Sequence, residues 1–249
     1  MTSPTALADF DPGVDDVPPG IVIGVEQEFK WRLGDDGLFG NRQPTLDDLA
    51  AAVPPPDEAV EESRFQHTQS TLYFDDRWQL TDRQVALRAT INPGTIKRVS
   101  WLGVKQTLRW ENGCRDSLEL GGRLAAKDIG REVRNPQSPA LAYAHRLLGV
   151  ALEPDVFASV IQHRHKVFYR TSVNSLLQVT FDRAEFKALP DGQPQVTYWL
   201  EIENNGREMH ARAALERWAT SVSERVGAPP ATRAKAEVAA ELAGWTRRG

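Results

Sequence analysis

Between residues 21 and 33 the chain reads IVIGVEQEFKWRL, and its side chains alternate in character. Ile21, Ile23, Val25, Phe29, Trp31 and Leu33 fall on one side, with Gln27 the exception. Val22, Gly24, Glu26, Glu28, Lys30 and Arg32 fall on the other. A period of two with one apolar side marks a strand that buries a single face. Strand-like stretches return at 65–75, 84–91, 98–110, 115–120, 160–170, 175–182 and 196–203, which makes eight with the first. Three stretches read as helices: 138–149, 208–227 (Leu215, Trp218, Val222 and Val226 on one stripe) and 231–245. Thr45 is placed to cap a further short helix that Pro54, Pro55 and Pro56 stop. Strands separated by turn signals, with the helices in the connections, predict a mainly antiparallel α+β fold rather than a βαβ array.

The polar side of these strands is unusual. It carries Glu26, Glu28 and Lys30 on the first; Lys105, Thr107 and Arg109 on 98–110; Arg164, Lys166 and Arg170 on 160–170; and Thr197, Trp199, Glu201 and Glu203 on 196–203. Arg88 and Asp182 lie on the polar faces of their own strands. An open sheet showing such a face to water explains any one strand. Two Glu-x-Glu pairs and an arginine-rich strand recurring in one chain favour closure of the eight strands into a barrel around a charged lumen. Arg115 is placed either to join that lumen or to pair with Glu119 on an exposed strand. Tyr73 reads as a core aromatic, and Trp199 as a filler of one barrel end.

Composition sets the outer bounds. The chain has 249 residues, 41% of them hydrophobic and 26% charged, which is ordinary for a globular protein. Its net charge of −4 argues against a general binder of nucleic-acid duplex. Residues 1–66 hold 4 basic and 14 acidic side chains, so the remainder is net basic and suits an anionic ligand. Residues 1–19 read as a disordered acidic leader and 20–249 as one domain. No apolar run suits a membrane span, no secretory signal is evident, and Cys114 is the only cysteine, so a reducing cytoplasm is expected. Carboxylates on facing strands suit a hard divalent cation such as Mg²⁺ or Mn²⁺, and Lys and Arg suit phosphate oxygens. Together they describe a site for metal-bound polyphosphate. Oligomeric state leaves no mark in the sequence.

Further motifs fall in a familiar order. Glu26-Gln27-Glu28-Phe29-Lys30 resembles the ExExK signature of the CYTH superfamily, the triphosphate tunnel metalloenzymes. Leu72-Tyr73-Phe74-Asp75, Ala86-Leu87-Arg88, Trp101-Leu102-Gly103-Val104-Lys105, Arg164-His165-Lys166 with Tyr169-Arg170, and Val179-Thr180-Phe181-Asp182 followed by Leu200-Glu201-Ile202-Glu203 resemble its later strands. The resemblance runs from about residue 21 to 205 and implies a closed eight-stranded antiparallel tunnel with helices packed outside. It implies metal ligation by Glu26, Glu28, Asp182, Glu201 and Glu203, and a triphosphate path lined by Lys30, Arg88, Lys105, Arg164 and Lys166. Glu201 or Glu203 would orient the attacking water, with Lys30 beside them in the catalytic set. The expected substrate is inorganic tripolyphosphate or an organic triphosphate. The alternatives are a polyphosphate- or nucleotide-binding module without turnover, and an adenylyl cyclase in which the ribose 3′-OH attacks. Departures are Thr90 where a second Arg often stands, Gly103 for the Thr of W-x-T-x-K, and His165 for the middle Arg of the basic strand. The segment 34–66 is long and suits a lid, an outer helix or a plain insertion.

Overall fold

The computed structural model describes residues 21–34, 38–40, 42–56, 59–92, 99–204 and 212–247; the expected leader lies outside them. Eight strands form: β1 (Ile21–Leu33), β2 (Val60–Asp75), β3 (Val85–Asn92), β4 (Val99–Glu111), β5 (Cys114–Leu124), β6 (Asp155–Arg170), β7 (Leu176–Ala188) and β8 (Gln195–Asn204). They close in the order β1-β5-β4-β3-β2-β6-β7-β8, every pair antiparallel. The expected closed barrel is therefore present. Closure falls between β1 and β8, with Glu28 opposite Glu203 and Lys30 opposite Glu201. The two acidic pairs thus meet although they stand far apart in sequence.

Five α-helices lie among the described residues: α1 (Leu46–Ala52), α2 (Ile129–Glu132), α3 (Pro139–Leu148), α4 (Arg212–Val226) and α5 (Lys235–Leu242). Thr45 caps α1 as expected, accepting from the Asp48 amide while Asp48 accepts from the Thr45 amide. The long 34–66 segment is thus partly an outer helix. It is also partly strand, since β2 starts at Val60. The β4–β5 hairpin turns on Asn112 and Gly113, both at positive φ, the conformation a two-residue primed turn requires.

The apolar core lies outside the barrel wall. One cluster seats α1 and α4 on the outer faces of β1, β6, β7 and β8 through Trp31, Leu49, Val179, Phe181, Leu215 and Trp218. A second seats α2 and α3 on β3 and β4 through Leu87, Val104, Ile129 and Leu141. A third is different. Tyr73, Val160, Phe186 and Trp199 lie on the lumen side near the β1 C-terminal end, where Ala239 of α5 packs against them. That end of the barrel is plugged with apolar side chains, as expected for Trp199. The charged residues occupy the rest of the lumen.

Candidate active-site tunnel

The strand register lays the lumen side chains out in rows. One row of facing residues runs Phe168, Gln178, Glu203, Glu28, Arg115, and the next runs Lys166, Thr180, Glu201, Lys30. A third joins Arg164, Asp182 and Trp199. On the facing wall Lys105 stands opposite both Glu119 and Ala86, and Arg88 opposite Gly103. These strands enclose a cavity of about 380 Å³ lined by Glu26, Glu28, Lys105, Arg164, Glu201 and Glu203 among others.

Around it Glu26, Glu28, Lys30, Lys105, Arg164, Asp182 and Glu201 form a continuous network of ion pairs with two acidic centres, which Arg88 joins through Glu119. Glu26, Glu28 and Glu203 each offer a carboxylate oxygen within 4.8 Å of the others. Lys105 contacts Glu26 and lies 3.3 Å from Glu28; Arg115 lies 3.1 Å and Lys30 2.8 Å from Glu28. Burial pushes the Glu28 carboxyl up, but Lys105, Lys30 and Arg115 outweigh it and bring the group down to about 2. Glu26 moves the other way. Burial holds it well above the usual carboxylate range, and Glu203 and Glu28 add to this against the pull of Lys105. Three oxygens this close, one reluctant to ionise beside its like-charged neighbours, match the donor set of a hard divalent cation.

Asp182 and Glu201 form the second centre. Arg164 donates to Asp182 at 2.7 Å and to Glu201 at 3.1 Å, and Lys30 lies 2.9 Å from Glu201. Lys235 contacts Asp182 and lies 2.9 Å from Glu201. Burial opposes ionisation of Glu201, yet Lys235, Lys30 and Arg164 hold it well below the usual range. Arg88 donates to Glu119 at 2.6 Å, and Glu119 also lies 3.2 Å from Lys105. Lys166 lowers its pKa through burial and then through Arg164.

No protein-family model matches the sequence, and no curated protein is recovered as a relative. Solved structures do match. A Bacillus halodurans protein provisionally described as an adenylate cyclase superposes with a TM-score of 0.52 at 15% identity, over 88% of this chain and 98% of that one. HpAC1 from Hippeastrum, described as a candidate adenylyl cyclase with a dominant triphosphatase activity, gives 0.51 at 20% identity over 87% and 95%. The PH1819 protein of Pyrococcus horikoshii gives 0.51 at 17% identity over 87% and 98%. The chain has the triphosphate tunnel, or CYTH, fold.

Within that fold two expected lumen cations lie elsewhere. A register shift between Thr107 and Arg109 turns Arg109 out of the lumen, where it donates to Asp116 at 2.7 Å. Arg115 takes the inward place, donating to Glu28 and, through Nε, to Thr107 at 2.9 Å. Arg170 shares the parity of Arg164, but it lies at the exposed end of β6 and pairs with Glu62. His165 points outward, its ring nitrogen 2.8 Å from the Gln43 amide, as alternation required.

The departure at Gly103 has a steric cause, which its neighbour Gly121 shares. A Cβ on Gly103 would lie 2.7 Å from the Leu120 carbonyl oxygen, and one on Gly121 would lie 2.4 Å from Trp101 Nε1. The indole of Trp101 lies across these two residues of the tunnel wall. Two further tunnel residues were not anticipated. Glu119 alternates in phase with Arg115, so the pattern held its signal. Lys235 is the first residue of α5 and reaches in from outside the barrel, so no strand periodicity could have revealed it.

Proposed function

We propose that the chain is a divalent-metal-dependent hydrolase of a triphosphate, using Mg²⁺ or Mn²⁺. The observation that carries this reading is the convergence of Glu26, Glu28 and Glu203 oxygens within 4.8 Å in a cavity also lined by Lys30, Arg88, Lys105, Arg115, Arg164 and Lys166. Those three carboxylates would hold the ion; when bound, it supplies Lewis-acid polarisation of an oxygen. Lys30, Arg88, Lys105, Arg164 and Lys166 would bind the phosphate oxygens. Glu201 is too firmly ionised by its three cations to be an efficient proton acceptor, and serves instead as a hydrogen-bond acceptor orienting the attacking water. The water oxygen bonds to phosphorus as the anhydride P–O bond breaks, and the proton the water gives up passes to a phosphate oxygen of the products. The leaving phosphate keeps the electron pair, and the tunnel cations offset its charge. The description of HpAC1 as having dominant triphosphatase activity supports hydrolysis over cyclisation.

The test is a panel of tripolyphosphate, thiamine triphosphate and ATP with Mg²⁺ and Mn²⁺, followed for phosphate and cyclic product. Phosphate release that depends on the metal and falls by more than about a hundredfold in Glu28→Gln is expected. Cyclic AMP as the main product, or tight metal-free binding with no turnover, would replace this reading.

A further inference from the structure

At the mouth opposite the apolar plug, β2 runs on past β3. Among the described residues, Ser70 to Phe74 pair with β3, whereas Val60 to Gln69 pair only with β6. The resulting overhang carries Phe65, His67 and Phe168 in phase with Arg164 and Lys166 of the lumen. Phe65 and Phe168 stack at 5.6 Å between centroids and 19° between planes, and His67 lies 5.4 Å from Phe65. The Lys166 ammonium sits 6.0 Å from the Phe168 ring centroid, which fixes this face towards the tunnel. Phe65 is 45% exposed. Among the described residues Lys166 makes no ion pair, unlike Lys30, Arg88, Lys105 and Arg164 beside it.

The same row places this ledge relative to the acidic centre. Phe168 stands opposite Gln178, Gln178 opposite Glu203, and Glu203 opposite Glu28. Two strand spacings separate Phe168 from Glu203, about 10 Å. Inorganic phosphate has no use for stacked rings open to water. A flat π-system gains from them, with the neighbouring ammonium free to meet the phosphate that joins it. We infer that the substrate is an organic triphosphate carrying a planar heteroaromatic ring, which stacks on Phe65 and Phe168 while its triphosphate enters past Lys166. This rests on the triphosphatase reading above.

The test compares wild type with the double variant Phe65→Leu/Phe168→Leu, which keeps apolar bulk and removes the rings. KM and kcat are measured for tripolyphosphate, ATP, GTP and thiamine triphosphate, and equilibrium binding for the β,γ-methylene analogue of ATP. The expected result is a rise of roughly tenfold in KM for at least one ring-bearing substrate, with tripolyphosphate changed by less than about twofold. Phe65→Trp should tighten the same ligand, and an unchanged melting temperature excludes misfolding. Equal loss for tripolyphosphate, or no loss for any ring-bearing substrate, overturns the ledge while leaving the triphosphatase reading intact. So does a selective loss seen only in Trp101→Leu, which would move the ring to that indole. A wild type that neither binds nor cleaves any of the four ends both readings.

Discussion

Lys235 neutralises two buried carboxylates from the helix that packs at the plugged end of the barrel. Asp182 is fully buried and accepts from Gln162, Arg164 and Lys235; Glu201 shares Lys235 with Arg164 and Lys30. Removing one partner of such a network leaves buried charge uncompensated. Lys235→Met should therefore destabilise the fold by about 3 kcal/mol in chemical denaturation. Adding Asp182→Asn to that variant should recover part of the loss, with a coupling of roughly 1–3 kcal/mol; strictly additive effects would show that Lys235 does not act through Asp182. Alternation placed Lys30, Lys105, Arg164 and both Glu-x-Glu pairs correctly because period two is a property of the backbone itself. It misplaced Arg109 because a bulge resets the phase, and no composition rule locates a bulge. It was silent on Lys235 because a helix residue entering a barrel is a tertiary event.

The elements show where the wall is tight. Gly121 faces both the Trp101 indole and the Leu102 carbonyl oxygen, at 2.4 and 2.8 Å from a built Cβ, whereas Gly24 on β1 has nothing within 4 Å. Gly121→Ala should cost about 1–3 kcal/mol and shift Trp101 fluorescence, because the ring must leave its seat. Gly24→Ala should leave both nearly unchanged. Equal effects at the two positions would mean that β4 and β5 do not approach as closely as described. At the other wall, the reciprocal Thr45 and Asp48 bonds start α1, and Thr45→Ala should lower stability by about 1 kcal/mol. That cap was legible from Thr45 and the proline stop. The extension of β2 from residue 65 down to Val60 was not: VEESR lacks apolar alternation and is a strand only because β6 lies beside it.

On the scale of the whole molecule the usual arrangement is inverted, with apolar clusters holding helices to the outside and charge concentrated within. Such a lumen is folded at the expense of crowding carboxylates, most of all Glu26, Glu28 and Glu203. A divalent ion bound among them relieves that repulsion only in the folded state, since β1 and β8 come together only on barrel closure. Binding is then linked to stability. At a hundred times its Kd, Mn²⁺ should stabilise the chain by about 2.7 kcal/mol, which raises the melting temperature by roughly 5–10 °C for a protein of this size. EDTA should reverse the shift, and tripolyphosphate is not needed to see it. Glu203→Gln should abolish most of the shift, because it removes one of the three carboxylates that would hold the ion. A shift that survives in both Glu28→Gln and Glu203→Gln would place the ion elsewhere. The absence of any shift with Mn²⁺ or Mg²⁺ would leave Glu26 and Glu28 to the lysines and arginine that already contact them.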